Sequence, residues 1–118
     1  MANESRQDST ENLTKVLKAL GDTSRLNIVL SIGENVRSVS EIVSATGLSQ
    51  TLVSFHLRVL REANVVTTKR NGPFILYSLS DPNLNKTLVE LAKSINPNGR
   101  KVIELNESSL QARRNKRR

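Results

Sequence analysis

The sequence of 118 residues predicts a small α+β fold, mainly helical, with about five helices and a two-stranded β-hairpin. Residues 38–64 predict two helices joined by a short turn, and the second of these helices has an apolar and a polar side. Two β-rich runs then flank Asn71-Gly72, the strongest short hairpin signal that a sequence offers. Apolar stripes with helical spacing precede and follow this region. In this order, the elements predict a winged helix-turn-helix that dimerises through its first and last helices.

The helix-turn-helix is bounded by residues that begin and end helices. Ser38 and Glu41 have the spacing of a capping box, which predicts a helix start at Ser38. Gly47 suits the left-handed position at the end of that helix. Ser49 is a natural N-cap for the second helix, which is predicted to continue to about Asn64.

The second helix separates its side chains by chemistry. At about 100° per residue, Val53, Leu57 and Leu60 fall on one side and can dock on a core. The opposite side carries amide, hydroxyl and guanidinium groups, which hydrogen-bond base edges and phosphates, and those near the helix start are the ones that a recognition helix points into a major groove. Taken alone, this pattern fits an ordinary solvated helix face equally well. The predicted DNA-binding residues of this helix and its cap are Ser49, Gln50, Thr51, Ser54, Arg58 and Arg61.

Two further residues of this helix have two interpretations each. Phe55 lies at the edge of the polar side, where it either packs on a thymine methyl group or sugar, or is simply exposed. His56 lies closer to the apolar side and is either a DNA contact or a half-buried imidazole that bonds within the domain. Both residues are included in the predicted DNA-binding set.

The predicted hairpin has a basic tip. A basic hairpin directly after a helix-turn-helix indicates a wing that contacts phosphates or a minor groove, whereas the alternative is an ordinary surface turn. The predicted wing contacts are Lys69, Arg70, Asn71 and Gly72.

The first two helices are predicted from apolar spacing and from their ends. The first covers about Ser9 to Leu20, after a disordered segment 1–8. Gly21 ends it and Asp22 caps the next helix. That second helix, Thr23 to about Ile32, is apolar on most sides and is the best candidate for the centre of the core.

The last helix begins at Asp81-Pro82, with Asp81 as N-cap and Pro82 as its first residue, and ends before the breaker at 96–99. In so small a body, the apolar stripes of the first and last helices predict a two-fold homodimer, although packing within one chain is the alternative. The predicted interface consists of Leu13, Val16, Leu17, Leu20, Leu84, Leu88, Leu91 and Ile95.

The net charge of +7 is unevenly distributed. Residues 48–72 carry four Lys/Arg against one Glu, whereas residues 1–47 carry five against six and residues 73–112 balance. The positive excess of the folded body therefore coincides with the helix-turn-helix and the wing, which favours a polyanionic partner. The rest of the positive excess lies in the tail 113–118, which is either a solvated charge run or an arm that contacts phosphates.

Several classes of function are excluded by what the sequence lacks. Without cysteine there is no disulfide, thiolate metal site or thiol switch. No apolar run is long enough to span a membrane, and the polar first residues are unlike a secretory signal, so we expect a cytoplasmic protein. The single histidine has no nucleophile and carboxylate at a meaningful spacing, so we do not expect an enzyme.

Three segments resemble the winged-helix repressors of the ArsR/SmtB family. They read LKALGDTSRLNIVLSI (17–32), VSEIVSATGLSQTLVSFHLRVLREANVV (39–66) and YSL (77–79). The resemblance covers roughly residues 13–95. It implies a homodimer that binds an operator and represses transcription until a signal releases it. That signal is either a small organic molecule or a partner protein, and regulation without any effector is the third possibility.

The departures from the family concern its metal sites. Metal-sensing members often place a Cys-x-Cys pair where this chain has Ser38-Val39-Ser40, and serine supplies no thiolate. Other members use carboxylates and imidazoles of the last helix, where this chain has Asp81 and Glu90 but no histidine. We therefore expect no metal sensing and no cofactor.

The functional prediction is a regulator of transcription that binds double-stranded DNA, as a repressor on an inverted-repeat operator. Residues 9–96 would form the DNA-binding and dimerisation domain, and residues 97–118 a C-terminal extension with the basic tail. The alternative is a winged-helix module for protein contacts without operator binding.

Overall fold

Five helices and three short strands make up the structure, a computed structural model that describes residues 2–96, with side chains from Gln7 onward. This confirms the predicted mainly helical α+β class. The predicted C-terminal extension, with its basic tail, lies outside the described residues. The elements are α1 (Ala2–Leu20), α2 (Thr23–Ile32), β1 (Arg37–Ser38), α3 (Val39–Thr46), α4 (Gln50–Glu62), β2 (Val66–Asn71), β3 (Phe74–Leu79) and α5 (Asn83–Ile95).

The core is built around α2, as predicted. Apolar side chains of α3 and α4 and of the strands pack against it, and the apolar side of α4 is wholly engaged there. Burial of this apolar surface, rather than helix propensity, stabilises helices as short as these. The side chains that are essentially without solvent contact are Ile28, Val29, Ile32, Ile42, Val53, Leu57 and Leu60.

The first helix is longer than predicted. It begins at Ala2 rather than at Ser9, so the predicted disorder of segment 1–8 is wrong from Ala2 onward. Apolar periodicity detects only helices that bury a face, and the side chains from Gln7 to Lys15 are all exposed. None of the helices within residues 2–96 combines the length and the apolar character needed to cross a membrane.

The predicted caps of the helix-turn-helix are all present. The Ser38 hydroxyl accepts the N–H of Glu41 at 3.2 Å, and the Ser38 N–H donates to Glu41 Oε1 at 3.0 Å, which forms a capping box. This backbone hydrogen bond from Ser38 holds the pKa of the Glu41 carboxyl below its ordinary value. Gly47 is left-handed with φ 75°, and the Ser49 hydroxyl accepts the N–H of Leu52. Short-range hydrogen bonds thus set where α3 ends and α4 begins.

Replacing Ser38 by alanine should lower the free energy of unfolding by about 1 kcal/mol, because the N–H of Glu41 loses its side-chain acceptor. Urea unfolding followed by circular dichroism measures the change. Ser40→Ala makes the same substitution at an exposed position of α3 and should be neutral or slightly stabilising. Equal losses in both variants would show that the cap makes no specific contribution.

The second helix of the helix-turn-helix stops slightly before its predicted end. α4 ends at Glu62, and Asn64 adopts a left-handed φ of 61°, a conformation that asparagine tolerates better than most residues. The N–H of Val65 then donates to the carbonyl of Leu60 at 2.9 Å. This reversal turns the chain from α4 directly into β2.

The hairpin differs from its prediction by one residue. Asn71 pairs with Phe74, so the two turn residues are Gly72 and Pro73 rather than Asn71 and Gly72. Gly72 has a φ of 61°, which is required at the first position of a type II′ turn, and Pro73 cannot adopt the positive φ that a type I′ turn needs at the second. Proline in the turn therefore fixes the register.

The sheet has a third strand, so the predicted two-stranded wing was incomplete. β1 pairs antiparallel with β3, with Arg37 opposite Tyr77 and Ser38 opposite Leu76, and the strand order is β1-β3-β2. Since Ser38 also caps α3, the base of the wing is tied to the start of the helix-turn-helix. The wing is therefore joined to the start of α3 by backbone pairing.

The last helix starts at Asn83, one residue beyond the predicted Pro82. The N-cap is therefore Pro82 rather than the predicted Asp81, but Asp81 bonds the first turn from one residue earlier, since its Oδ1 accepts the N–H of Asn83 at 2.9 Å and its carbonyl accepts the N–H of Leu84. Asp81 and Pro82 thus direct the chain from the sheet into α5.

Candidate nucleic-acid interface

The polar side of α4 is exposed as a unit. Its amide, hydroxyl and guanidinium groups face solvent, while the opposite side of the helix is locked into the core. The Ser49 hydroxyl already accepts the N–H of Leu52 as the N-cap of α4. A ligand can therefore use only the backbone of Ser49 and the hydrogen bonds that its hydroxyl can still form. The structure therefore brings together the predicted contacts Ser49, Gln50, Thr51, Ser54, Arg58 and Arg61.

The cations of this surface have no carboxylate partner. Among residues 7–96, the ion pairs are Arg37–Glu41 at 3.7 Å and Lys93–Glu90 at 3.6 Å, and both lie outside it. No carboxylate within residues 7–96 neutralises their positive charges, which favours an anionic ligand. The exposed cations concerned are Arg58 and Arg61 of α4 and Lys69 and Arg70 of β2.

The wing residues are exposed but are not all in the turn. Lys69, Arg70 and Asn71 form the last part of β2, and Gly72 is the first turn residue. Successive residues of a strand point to opposite faces, so Lys69 and Arg70 present their charges on both sides of the ribbon. A two-stranded ribbon with cations on both faces suits the space between two phosphate backbones.

His56 is buried, with 8% of its surface exposed, which contradicts its prediction as a DNA contact. Arg25 Nη1 lies 3.3 Å from His56 Nδ1. Because a guanidinium only donates hydrogen bonds, Nδ1 is the acceptor in this contact. The alternative, an imidazole bonded within the domain, describes the structure.

Phe55 is 54% exposed at the edge of the polar side of α4. Its ring meets the His56 ring edge-to-face, with 5.3 Å between the centroids. The buried imidazole thus supports one side of an aromatic ring that remains open to solvent. This geometry leaves Phe55 available for the predicted contact with a thymine methyl group or sugar.

Sequence reasoning missed Arg25, which joins three elements around the recognition helix. Its Nε donates to the carbonyl of Ala19 at 2.6 Å, and its N–H donates to Asp22 Oδ1 at 3.0 Å. This N–H is also the largest cause of the lowered pKa of Asp22. Together with the contact to His56, these bonds fix α4 relative to the α1–α2 junction. The available signal was that Arg25 is the one charged residue of α2, a helix that is apolar on most sides.

The predicted dimer stripe divides into three groups. Leu20 is buried in the core of its own chain, so its assignment to a dimer interface is wrong. Val16, Leu84 and Leu88 are partly buried against the same core. The remaining four side chains keep a large part of their apolar surface exposed, and they are Leu13, Leu17, Leu91 and Ile95.

Comparison with known proteins gives this arrangement a family. Residues 22–68 match the family model for "Bacterial regulatory protein, arsR family". The chain is 44% identical over 70 residues, 59% of its length, to the HTH-type transcriptional repressor SmtB of Mycobacterium tuberculosis. The matched region spans about half of that repressor, 52% of its length.

Two further relatives are matched over most of their length. The transcriptional activator HlyU of Vibrio cholerae is 34% identical over 88 residues, which cover 72% of this chain and 81% of HlyU. The homodimeric winged helix-turn-helix DNA-binding domain of Mb0332 from Mycobacterium bovis superposes with a TM-score of 0.66 at 25% identity, covering 75% of this chain and 84% of that domain. With its fold and its sequence both matched, the chain belongs to the arsR family of bacterial regulatory proteins.

Proposed function

We propose that this chain is a transcription regulator that binds specific sequences of duplex DNA. The observation that carries the proposal is the exposed polar side of α4, whose opposite side is fixed in the core. A helix held in this way can enter a major groove, which is about 12 Å wide, without losing its own packing. The cations that continue from α4 to the wing supply the attraction to phosphate.

The chemistry of this surface assigns different tasks to its parts. Gln50 lies at the start of α4, where its amide can pair with a base edge, as amides do with adenine. Ser54 and Arg58 follow on the same side of the helix, one turn apart. Arg61, Lys69 and Arg70 extend the positive surface toward backbone phosphates, which fix the position of the protein rather than the sequence that it reads.

The regulator would act as a homodimer through α1 and α5. The exposed leucines of α1 and the exposed end of α5 supply apolar surface for a two-fold interface, and the Mycobacterium bovis relative is described as homodimeric. Such a dimer predicts an inverted-repeat operator with half-sites about one helical turn, or a multiple of it, apart. We propose repression as its action, because the relative with 44% identity is named a repressor.

The regulator would sense neither soft metals nor thiol oxidation. The chain has no cysteine, and the Ser38 hydroxyl caps α3. Among the residues that the structure describes, no three His, Asp or Glu side chains lie close enough together to hold a metal ion. Titration with zinc, followed by isothermal calorimetry and by DNA binding, checks this; a tight stoichiometric complex that releases DNA would contradict it.

Selection of bound fragments from the source genome tests the proposal as a whole. Purified chain is incubated with fragmented genomic DNA, bound fragments are sequenced, and the enriched sites are footprinted. We expect an inverted repeat protected on both half-sites. Absence of any enriched sequence would favour the alternative, a winged-helix module for protein contacts.

Replacing Gln50 by alanine should relax the preference at particular base pairs of the operator. A good pair between a side chain and a base contributes about 1–3 kcal/mol of discrimination, so the penalty for changing the base that Gln50 reads should largely disappear. Affinities for a set of operators, each with one base pair changed, measure this. Gln7→Ala removes the same exposed amide from α1 and should leave all preferences intact.

A further inference from the structure

The aromatic residues of this chain are unusually placed. It has two phenylalanines and one tyrosine, and the tyrosine, Tyr77, packs against the core. Both phenylalanines are exposed on the proposed DNA-binding surface, Phe55 on α4 and Phe74 on the wing. Phe74 is 63% exposed, although aromatic rings are normally a large source of burial. An exposed ring within the proposed DNA-binding surface is available to contact DNA.

Phe74 lies at the end of the wing, directly after the two turn residues. It pairs with Asn71, and the next pair on the same face of the ribbon is Lys69 with Leu76. On the alternate face, Tyr77, opposite Thr68, packs against the core at the base of the wing, while Ile75 and Arg70 nearer the tip are exposed. The ring therefore stands on the outer face of the wing, beside an amide and an ammonium group, with Arg70 on the other face.

These surroundings favour DNA over a protein as the partner of the ring. The fully buried centre of a protein interface is depleted of charged residues, lysine in particular, whereas Phe74 has Lys69 and Arg70 within its own ribbon. In a minor groove, stacked bases lie between two rows of phosphates. An apolar ring flanked by cations matches that pattern.

The dimensions of the wing add a second reason. Neighbouring strands lie about 4.8 Å apart, and the minor groove of B-DNA is about 6 Å wide. A two-stranded ribbon with its side chains fits only into a widened groove. Apolar side chains inserted between base pairs widen the minor groove and kink the duplex toward the major groove.

We propose that Phe74 is a wedge that enters the minor groove beside the α4 site and partly unstacks one base step. This inference rests on the proposed DNA-binding function and adds a determinant of specificity to it. Pyrimidine–purine steps unstack most easily, so the wedge would select TA or CA steps at the flank of each half-site without hydrogen-bonding to a base. It would also bend the operator.

The test uses the full chain and the operator obtained by selection. Energy transfer between dyes at the two ends of the duplex measures bending, and operators with different flanking steps measure preference. The wild type should bend the duplex by about 20–90° and prefer TA or CA at the flank. Phe74→Ala should lose both properties while still binding the central site about 10-fold more weakly. Phe74→Leu should keep part of the bend, because leucine also serves as a wedge.

Ile75→Ala is the matched control, since it removes an exposed apolar side chain from the opposite face of the same strand. It should leave bending and flank preference unchanged. A wild-type complex without a bend, or an unaltered bend in Phe74→Ala, overturns the wedge but leaves the DNA-binding function standing. A wild type that binds no duplex at all overturns both proposals. Thermal unfolding confirms that each variant is folded.

Discussion

Replacing Arg58 and Lys69 together by alanine should lower the affinity for duplex DNA by about 100-fold or more. Both side chains are exposed, and neither has a carboxylate partner among the described residues. No ion pair among the described residues engages their charges, which are available to phosphates or bases. In a dimer each substitution acts twice.

A salt titration of DNA binding, followed by fluorescence anisotropy, distinguishes contacts to phosphates from contacts to bases. Each lost phosphate contact should reduce the slope of log affinity against log salt by about 0.9. Lys15→Ala with Lys86→Ala removes the same charge from exposed positions of α1 and α5 and should change the affinity little. An unchanged affinity in the Arg58 and Lys69 variant would favour the protein-interaction alternative.

The features that could be predicted from the sequence depend on neighbours along the chain. The capping box of Ser38 and Glu41, the left-handed Gly47 and the cap at Ser49 each form hydrogen bonds over a few residues. The exposed side of α4 follows from helical periodicity alone, because its apolar side must meet the core. The exposed surface of α4 could therefore be predicted from the sequence alone.

The features that were missed depend on contacts between distant segments or on competing local choices. Arg25 and His56 are 31 residues apart, and no pattern in the sequence pairs them. The turn consists of Gly72 and Pro73 rather than the predicted Asn71 and Gly72. The prediction from Asn-Gly did not take into account the turn types that proline allows. β1 has two residues, too few for any alternation to be read.

Replacing Ile95 by glutamate should convert the proposed dimer into monomers. Ile95 is 78% exposed at the end of α5, so its side chain contributes little to the stability of the single chain. The fold should therefore tolerate the change. In a two-fold interface, two carboxylates would be buried without partners, which is costly. Sedimentation at micromolar concentration measures the change, and Lys86→Gln alters the charge equally from the opposite side of α5 and should remain dimeric.

Loss of the dimer should weaken binding to the inverted repeat by about 100-fold or more, even though α4 and the wing are untouched. Two linked recognition helices bind two half-sites with an avidity that a single helix lacks, and a monomer has only one. Binding to an isolated half-site should be unaffected. This control distinguishes loss of the dimer from damage to the DNA-binding surface. If Ile95→Glu still sediments as a dimer, a different surface joins the two chains, and the exposed leucines of α1 are the next to be substituted.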